Sequence, residues 1–196
     1  MPPARGDHEA RRADVSEAVW RVLAAKGLGG LTLRAVAAEM DASTGLLTHY
    51  FPTKRALVRH ALVVAEERTS AFARRTPEAE GLASLRAALL DVLPLTPGGA
   101  AMNRVWVSSW DASLADPELR ANELARLERW RGRLRAHVVS ARERGELPEE
   151  TDADEVTASA AAFTHGLVVH ALFDPDRFPP ERQTALLDGF LRGITG

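Results

Sequence analysis

The sequence predicts an all-α protein, and three observations carry that prediction. Apolar residues recur three and four positions apart along nearly the whole chain, no strictly alternating run is framed by turn residues, and the breaks between stripes fall at proline, glycine or a capping Ser, Thr or Asp. At 196 residues, 45% of them apolar, the chain is long enough to bury a core unaided. It has no cysteine, which excludes disulfides, a thiolate nucleophile and cysteine-held metal.

About nine helices are expected. The first runs from Asp7, a plausible N-cap, to Lys26; it carries Val15, Ala18, Val19, Val22 and Leu23 on one stripe and ends at Gly27. Two short helices follow. Thr32 caps one with an apolar face of Leu33, Val36, Ala37 and Met40, and Ser43 caps the next, which carries Leu47 and Phe51 one turn apart. Pro52 stops that helix. Thr53 caps a longer one with Leu57, Ala61 and Val64 on one face, continuing to about Arg75. Further helices are predicted near 78–93, 98–114, 117–144, 152–173 and 179–194. The breaks between them fall at Pro94, Pro97-Gly98-Gly99, Asp116-Pro117, Gly145 with Pro148, and Phe178-Pro179-Pro180. Residues 1–52 then form a three-helix unit, with 53–196 as a separate helical body entered through the fourth helix.

No stretch approaches the roughly 18 to 20 apolar residues of a membrane span, and the polar N-terminus lacks an apolar export core, so a cytoplasmic protein without membrane contact is expected. The formal net charge of -2 hides an asymmetry. Residues 1–60 hold 9 Lys and Arg against 6 Asp and Glu, whereas 61–196 hold 16 against 21. A basic head on an acidic body fits a polyanion-binding end joined to something else.

The turn Asp41-Ala42-Ser43 between two short helices has helix-turn-helix spacing, in which the first helix braces the second so that it can enter a DNA major groove. Once the buried face is assigned, Thr44, Gly45, Leu46, Thr48, His49 and Tyr50 remain. They are small or hydrogen-bonding residues rather than the Glu and Lys that usually coat a solvated helix.

The segment TLRAVAAEMDASTGLLTHYFPTKRALV resembles the DNA-binding signature of TetR-family transcriptional repressors, and the resemblance covers about residues 8–64. It implies that Thr32, Thr48, His49, Tyr50 and Lys54 hold phosphates, that Arg34, Thr44, Gly45 and Leu46 approach base edges, and that Ser43 lies among the DNA-contacting residues. The chemistry of these side chains agrees. A cation at Lys54 opposes the dipole of the helix it begins, which a nearby phosphate would offset, and the Arg34 fork suits guanine. Phe51 is assigned to packing and Tyr50 to DNA. Asp41 departs from the glycine common in the family at this turn, where a left-handed backbone tends to be required.

The resemblance further implies a helical domain for effector binding and dimerisation, so the expected partners are a pseudo-palindromic duplex operator, a small-molecule effector and a second copy of the chain. The small-residue run around Ala158, Ala161 and Ala162 with Val169, and the stripe Leu187, Phe190, Leu191 and Ile194, are the expected dimer surface. Phe72, Met102, Trp106, Trp110, Phe163, His165 and His170 are candidate effector contacts, with Trp106 and Trp110 one turn apart, a spacing that suits a cation cage. The strings TGLLTHYF and WVSSWDASLADPEL resemble the choline-responsive, betaine-pathway subgroup of the family, which leaves the ligand itself open. The charges of 117–144, among them Glu123 and Arg126, read as a solvated face. No cofactor and no metal site is expected: His165 and His170 are five residues apart, off the one-face spacing of a zinc pair. Two alternatives remain. A small helical enzyme with a histidine base finds no nucleophile motif to support it, and a dimeric scaffold that has lost DNA binding is favoured by Asp41 alone.

Overall fold

The computed structural model describes residues 5–71 and 80–195, and within them nine helices follow in chain order. They are α1 (Arg5–Lys26), α2 (Leu33–Glu39), α3 (Thr44–Tyr50), α4 (Lys54–Ala71), α5 (Leu82–Leu90), α6 (Pro97–Ala115), α7 (Pro117–Glu143), α8 (Ala153–Phe173) and α9 (Pro180–Ile194). Their starts follow the capping chemistry of the sequence. The side-chain oxygens of Thr32, Ser43, Thr53, Thr96, Asp116 and Asp152 each accept from a backbone amide two or three residues on, satisfying donors that the helix cannot. Gly27 and Gly145, at φ of +63° and +73°, end α1 and α7 in the left-handed conformation that glycine adopts without steric cost.

Two boundaries differ from the sequence reading. α1 begins at Arg5, two residues before the expected cap Asp7. α5 is shorter than 78–93: Gly81 has no side chain to cap it, so the Glu146 carboxylate accepts from Leu82 N at 2.7 Å and fixes the start from a distant loop. The expected extension of α4 to Arg75, residue 78 and Phe72 lie outside the described residues. A third difference concerns composition. α8, with mean hydropathy 1.4 over its best window, is long and apolar enough to cross a membrane, because its alanines dilute its few charges. Its buried side chains, among them Ala160, Thr164, Leu167, Val168 and Ala171, pack on α7 and α9 as those of a core helix.

Contacts divide the chain into two compact units, residues 1–72 with 104–111, and 73–103 with 112–196. In the first, α1 packs on α2 and α4, and α2 packs on α3. Its core is the predicted stripe Val15, Ala18, Val19, Val22 and Leu23, closed by Leu31, Val36, Leu47, Leu57 and Ala61. The middle of α6 joins this unit through Ser108, whose Oγ accepts from Leu28 N at 2.9 Å. In the second unit α7 packs on α5 and α8, and α9 packs on α5 and α8. Arg86 of α5 holds Asp188 of α9 through two bonds of 2.6 and 3.0 Å, and the mutual bonding raises the arginine pKa and lowers that of the aspartate.

Candidate DNA-binding site and effector region

The turn between α2 and α3 is set by Asp41. It sits at φ +49°, the one non-glycine residue with positive φ among the described residues. Its amide donates to Ala38 O at 3.3 Å and that of Ala42 to Ala37 O at 2.9 Å, the double closure of a Schellman motif. The turn expected from glycine in the family is therefore fully formed with aspartate. α3 then starts at once, with Leu47 and Phe51 turned into the core.

The opposite side of α3 is exposed. Thr44, Gly45, Thr48 and His49 face solvent, Leu46 and Tyr50 are half-buried, and Thr32, Arg34, Ser43 and Lys54 are exposed on the flanking segments. Thr32 and Ser43 use their oxygens as cap acceptors, at 3.0 and 3.4 Å, which leaves each hydroxyl proton free to donate to a phosphate. Thr48 instead donates to Thr44 O at 2.9 Å, which leaves its oxygen lone pairs and methyl as the groups it presents outward. Gly45 has no packing reason to be glycine. A Cβ there would meet nothing closer than Ser43 Oγ at 3.7 Å, and glycine inside a helix costs roughly 1 kcal/mol relative to alanine. Bareness at an exposed helix position fits close approach by an outside surface. Among the described residues neither Arg34 nor Lys54 forms an ion pair, unlike Arg21 and Arg68, which pair with Glu39 and Glu17.

The candidate effector residues are distributed over both units. Trp106 and Trp110 lie in the first, where the Trp106 indole donates to Thr69 Oγ1 of α4 at 3.0 Å. In the second, Met102 is buried, and Phe163 stacks on Phe190 of α9 with centroids 4.6 Å apart, joining a candidate effector contact to a candidate dimer contact. His170 is exposed and stacks on Phe178 at 5.4 Å. His165 packs on Trp130 at 4.7 Å, and burial together with the Arg126 guanidinium lowers its pKa to about 4, so it is neutral. A shallow cleft of about 330 Å³ between α5 and α9, bounded by Leu82, Arg86, Leu191 and Arg192, includes none of these effector candidates.

Periodicity concealed one feature. The inward stripe of α7 runs Leu119, Trp130, Leu134, Val138 and Ala141, and Glu123 and Arg126 occupy its missing turn. Their side chains are 12% and 19% exposed and bond through two contacts of 2.6 and 2.8 Å, so this part of 117–144 is not the solvated face expected of it. The gap in the stripe between Leu119 and Trp130 was the available signal.

The candidate dimer residues separate by burial. Ala161, Leu187 and Leu191 are buried inside the protomer, on the sides of α8 and α9 that close its core. Ala158 and Ala162 are exposed, while Val169, Phe190 and Ile194 are half-buried.

A short brace helix, a closed turn and a second helix with a bare, hydrogen-bonding outer side define a helix-turn-helix DNA-binding protein. Comparison with known proteins agrees in both halves. Residues 15–61 match the family described as bacterial regulatory proteins of the tetR family, and residues 81–196 match the BetI-type transcriptional repressor C-terminal domain. The regulator BetI of Burkholderia cenocepacia is 32% identical over 172 residues, covering 84% of each chain. A transcriptional regulator from a Rhodococcus species superposes with a TM-score of 0.79 at 26% identity, over 93% of this chain and 94% of that one. A regulator from Saccharomonospora viridis, solved with choline, gives 0.80 at 24%, over 94% and 96%. The chain belongs to the TetR family of transcriptional regulators, with a BetI-type C-terminal domain, and is a DNA-binding regulator rather than an enzyme.

Proposed function

We propose that the protein is a homodimeric repressor whose two α3 helices read half-sites about one DNA turn, roughly 34 Å, apart, and which a small cationic effector releases. It acts where the chromosome is, in the cytoplasm. In the head, Arg34, Thr44, Gly45 and Leu46 meet base edges, while Thr32, Ser43, Thr48, His49, Tyr50 and Lys54 hold the backbone. The observation that supports this reading best is the exposed side of α3, bare at Gly45 and flanked by Arg34 and Lys54, which form no ion pair among the described residues.

For the effector, the support is the Glu123–Arg126 pair set into the inward stripe of α7 beside Trp130 and neutral His165. A largely buried carboxylate on the same helix side as an indole two turns on offers the two groups that a quaternary ammonium needs, and such a ligand would take Glu123 from Arg126. The choline in the Saccharomonospora viridis regulator is consistent with this class of ligand.

The test begins by selecting a duplex from a randomised library with the unmodified protein. Its affinity is then measured with added choline and with the neutral isostere 3,3-dimethylbutanol. Choline should weaken binding by 5- to 150-fold, the range of a coupling of about 1 to 3 kcal/mol, and the alcohol should not. Equal responses to the two, or none, would remove the cationic-effector reading, whereas failure to enrich any duplex would remove the repressor reading itself.

A further inference from the structure

We propose that His60 is a positioning residue for DNA recognition, locking the end of the reading helix α3 to α1 and α4 in a lock that opens when its imidazole takes a second proton. The inference rests on recognition of DNA by α3. His60 lies on α4, two turns beyond Lys54, and is half-buried. Its Nε2 is 3.0 Å from Ser16 Oγ of α1, and its ring packs on Phe51, the C-cap of α3, with centroids 5.1 Å apart. Phe51 in turn contacts Tyr50 at 6.5 Å, and Tyr50 contacts His49 at 5.9 Å. One side chain thus touches the helix that leads into the head, the helix that leaves it and the end of the helix between them. The two residues that precede Phe51 are among those proposed to hold the DNA backbone.

The bond to Ser16 changes direction with the imidazole state, because a serine hydroxyl can both donate and accept. A neutral ring with a bare Nε2 accepts the serine proton, whereas a doubly protonated ring can only donate. Charging it also places a cation in a half-buried site against the Phe51 ring. The charged groups acting on His60 are Arg12 of α1, which disfavours that charge, and Glu67 of α4, which favours it. Burial is the largest influence, and the net result is a pKa below the usual 6.5. In the folded head His60 is therefore neutral at neutral pH. Acid shifts its population towards the charged form, whose half-buried charge opposes the packed position of the ring against Ser16 and Phe51.

The experiment measures full-length dimer on the selected duplex and on a random duplex of equal length, at pH 7.5 and 5.5, with thermal melts alongside. Ser16→Ala and His60→Phe should lower affinity for the selected duplex roughly 10-fold at pH 7.5 and leave the random duplex within about twofold. The unmodified protein should lose specificity ratio as the pH falls, and His60→Gln, which keeps a hydrogen-bonding group but cannot titrate, should flatten that loss. Should His60→Phe fail to fold, Ser16→Ala removes only a hydroxyl and carries the same test. The proposal is overturned if Ser16→Ala leaves the specificity ratio within twofold of the unmodified protein, or if His60→Gln keeps its full pH dependence.

Discussion

At the scale of the residue, the head depends on two cations that play different parts. Lys54 begins α4, where a positive charge opposes the helix dipole and no carboxylate among the described residues answers it. Lys54→Ala should therefore weaken binding to selected and random duplexes alike and lower the slope of log affinity against log salt by about 1, read from a salt titration. Arg34 carries a fork that can bond a base edge, so Arg34→Ala should cost about 1 to 3 kcal/mol on the selected duplex and relax its preference at one or two base pairs. Asp41 shows what could be read from sequence at this scale. The left-handed turn was legible from its position between two short helices, and the structure has it at φ +49°. Whether aspartate would deform the turn was not legible, because that depends on the two amide closures of the Schellman motif, and both are made. The scaffold alternative loses its one supporting residue. Asp41→Gly should stabilise the fold by up to about 1 kcal/mol, seen as a higher melting temperature, since glycine removes the steric cost of the left-handed backbone but adds unfolded-state entropy.

At the scale of the element, helix ends were read well because caps and breakers act within a few residues of one another. Thr32, Ser43, Thr53, Asp116 and Gly145 all perform the roles their chemistry suggests. Where the reading failed, the cause was a group distant in sequence. The start of α5 is capped by Glu146, 64 positions from the amide it accepts, and no local pattern announces such a partner. Glu146→Ala should destabilise the second unit by about 1 kcal/mol in a denaturant melt, because the Leu82 amide loses its acceptor. The same limit hid the effector region. Two charges in an inward stripe look like surface until α8 brings Trp130 and His165 together beside them. The pairings of Trp106 with Thr69 and of Phe163 with Phe190 were equally invisible, since periodicity gives the side a residue faces and not what it meets there.

At the scale of the whole molecule, the charge asymmetry and the apolar surface support the same assembly. The total of -2 conceals a head with 9 basic against 6 acidic residues, and two copies of that head would double the field that attracts a duplex. Two copies need a surface, and the exposed side of α8 offers Ala158, Ala162 and Gly166, ending at Phe173, which is 83% exposed. On α9, Leu186 is 38% exposed. Small residues let two helices approach closely, and the protomer makes little use of an aromatic ring that open to water. The candidate dimer set therefore splits into halves that respond differently to substitution. Leu187 is fully buried, so Leu187→Ala should cost the protomer about 2 to 5 kcal/mol of folding stability. Phe173→Ser should leave the protomer's melt within about 0.5 kcal/mol, and Ala162→Glu, by placing a carboxylate where two copies of α8 would meet, should move the chain towards monomer in sedimentation. Loss of the dimer uncouples the two half-site contacts, so binding of either variant to the selected duplex should become steeply dependent on protein concentration, while a single half-site is bound as before. Dimers of unchanged stability in both variants would show that the second copy docks elsewhere.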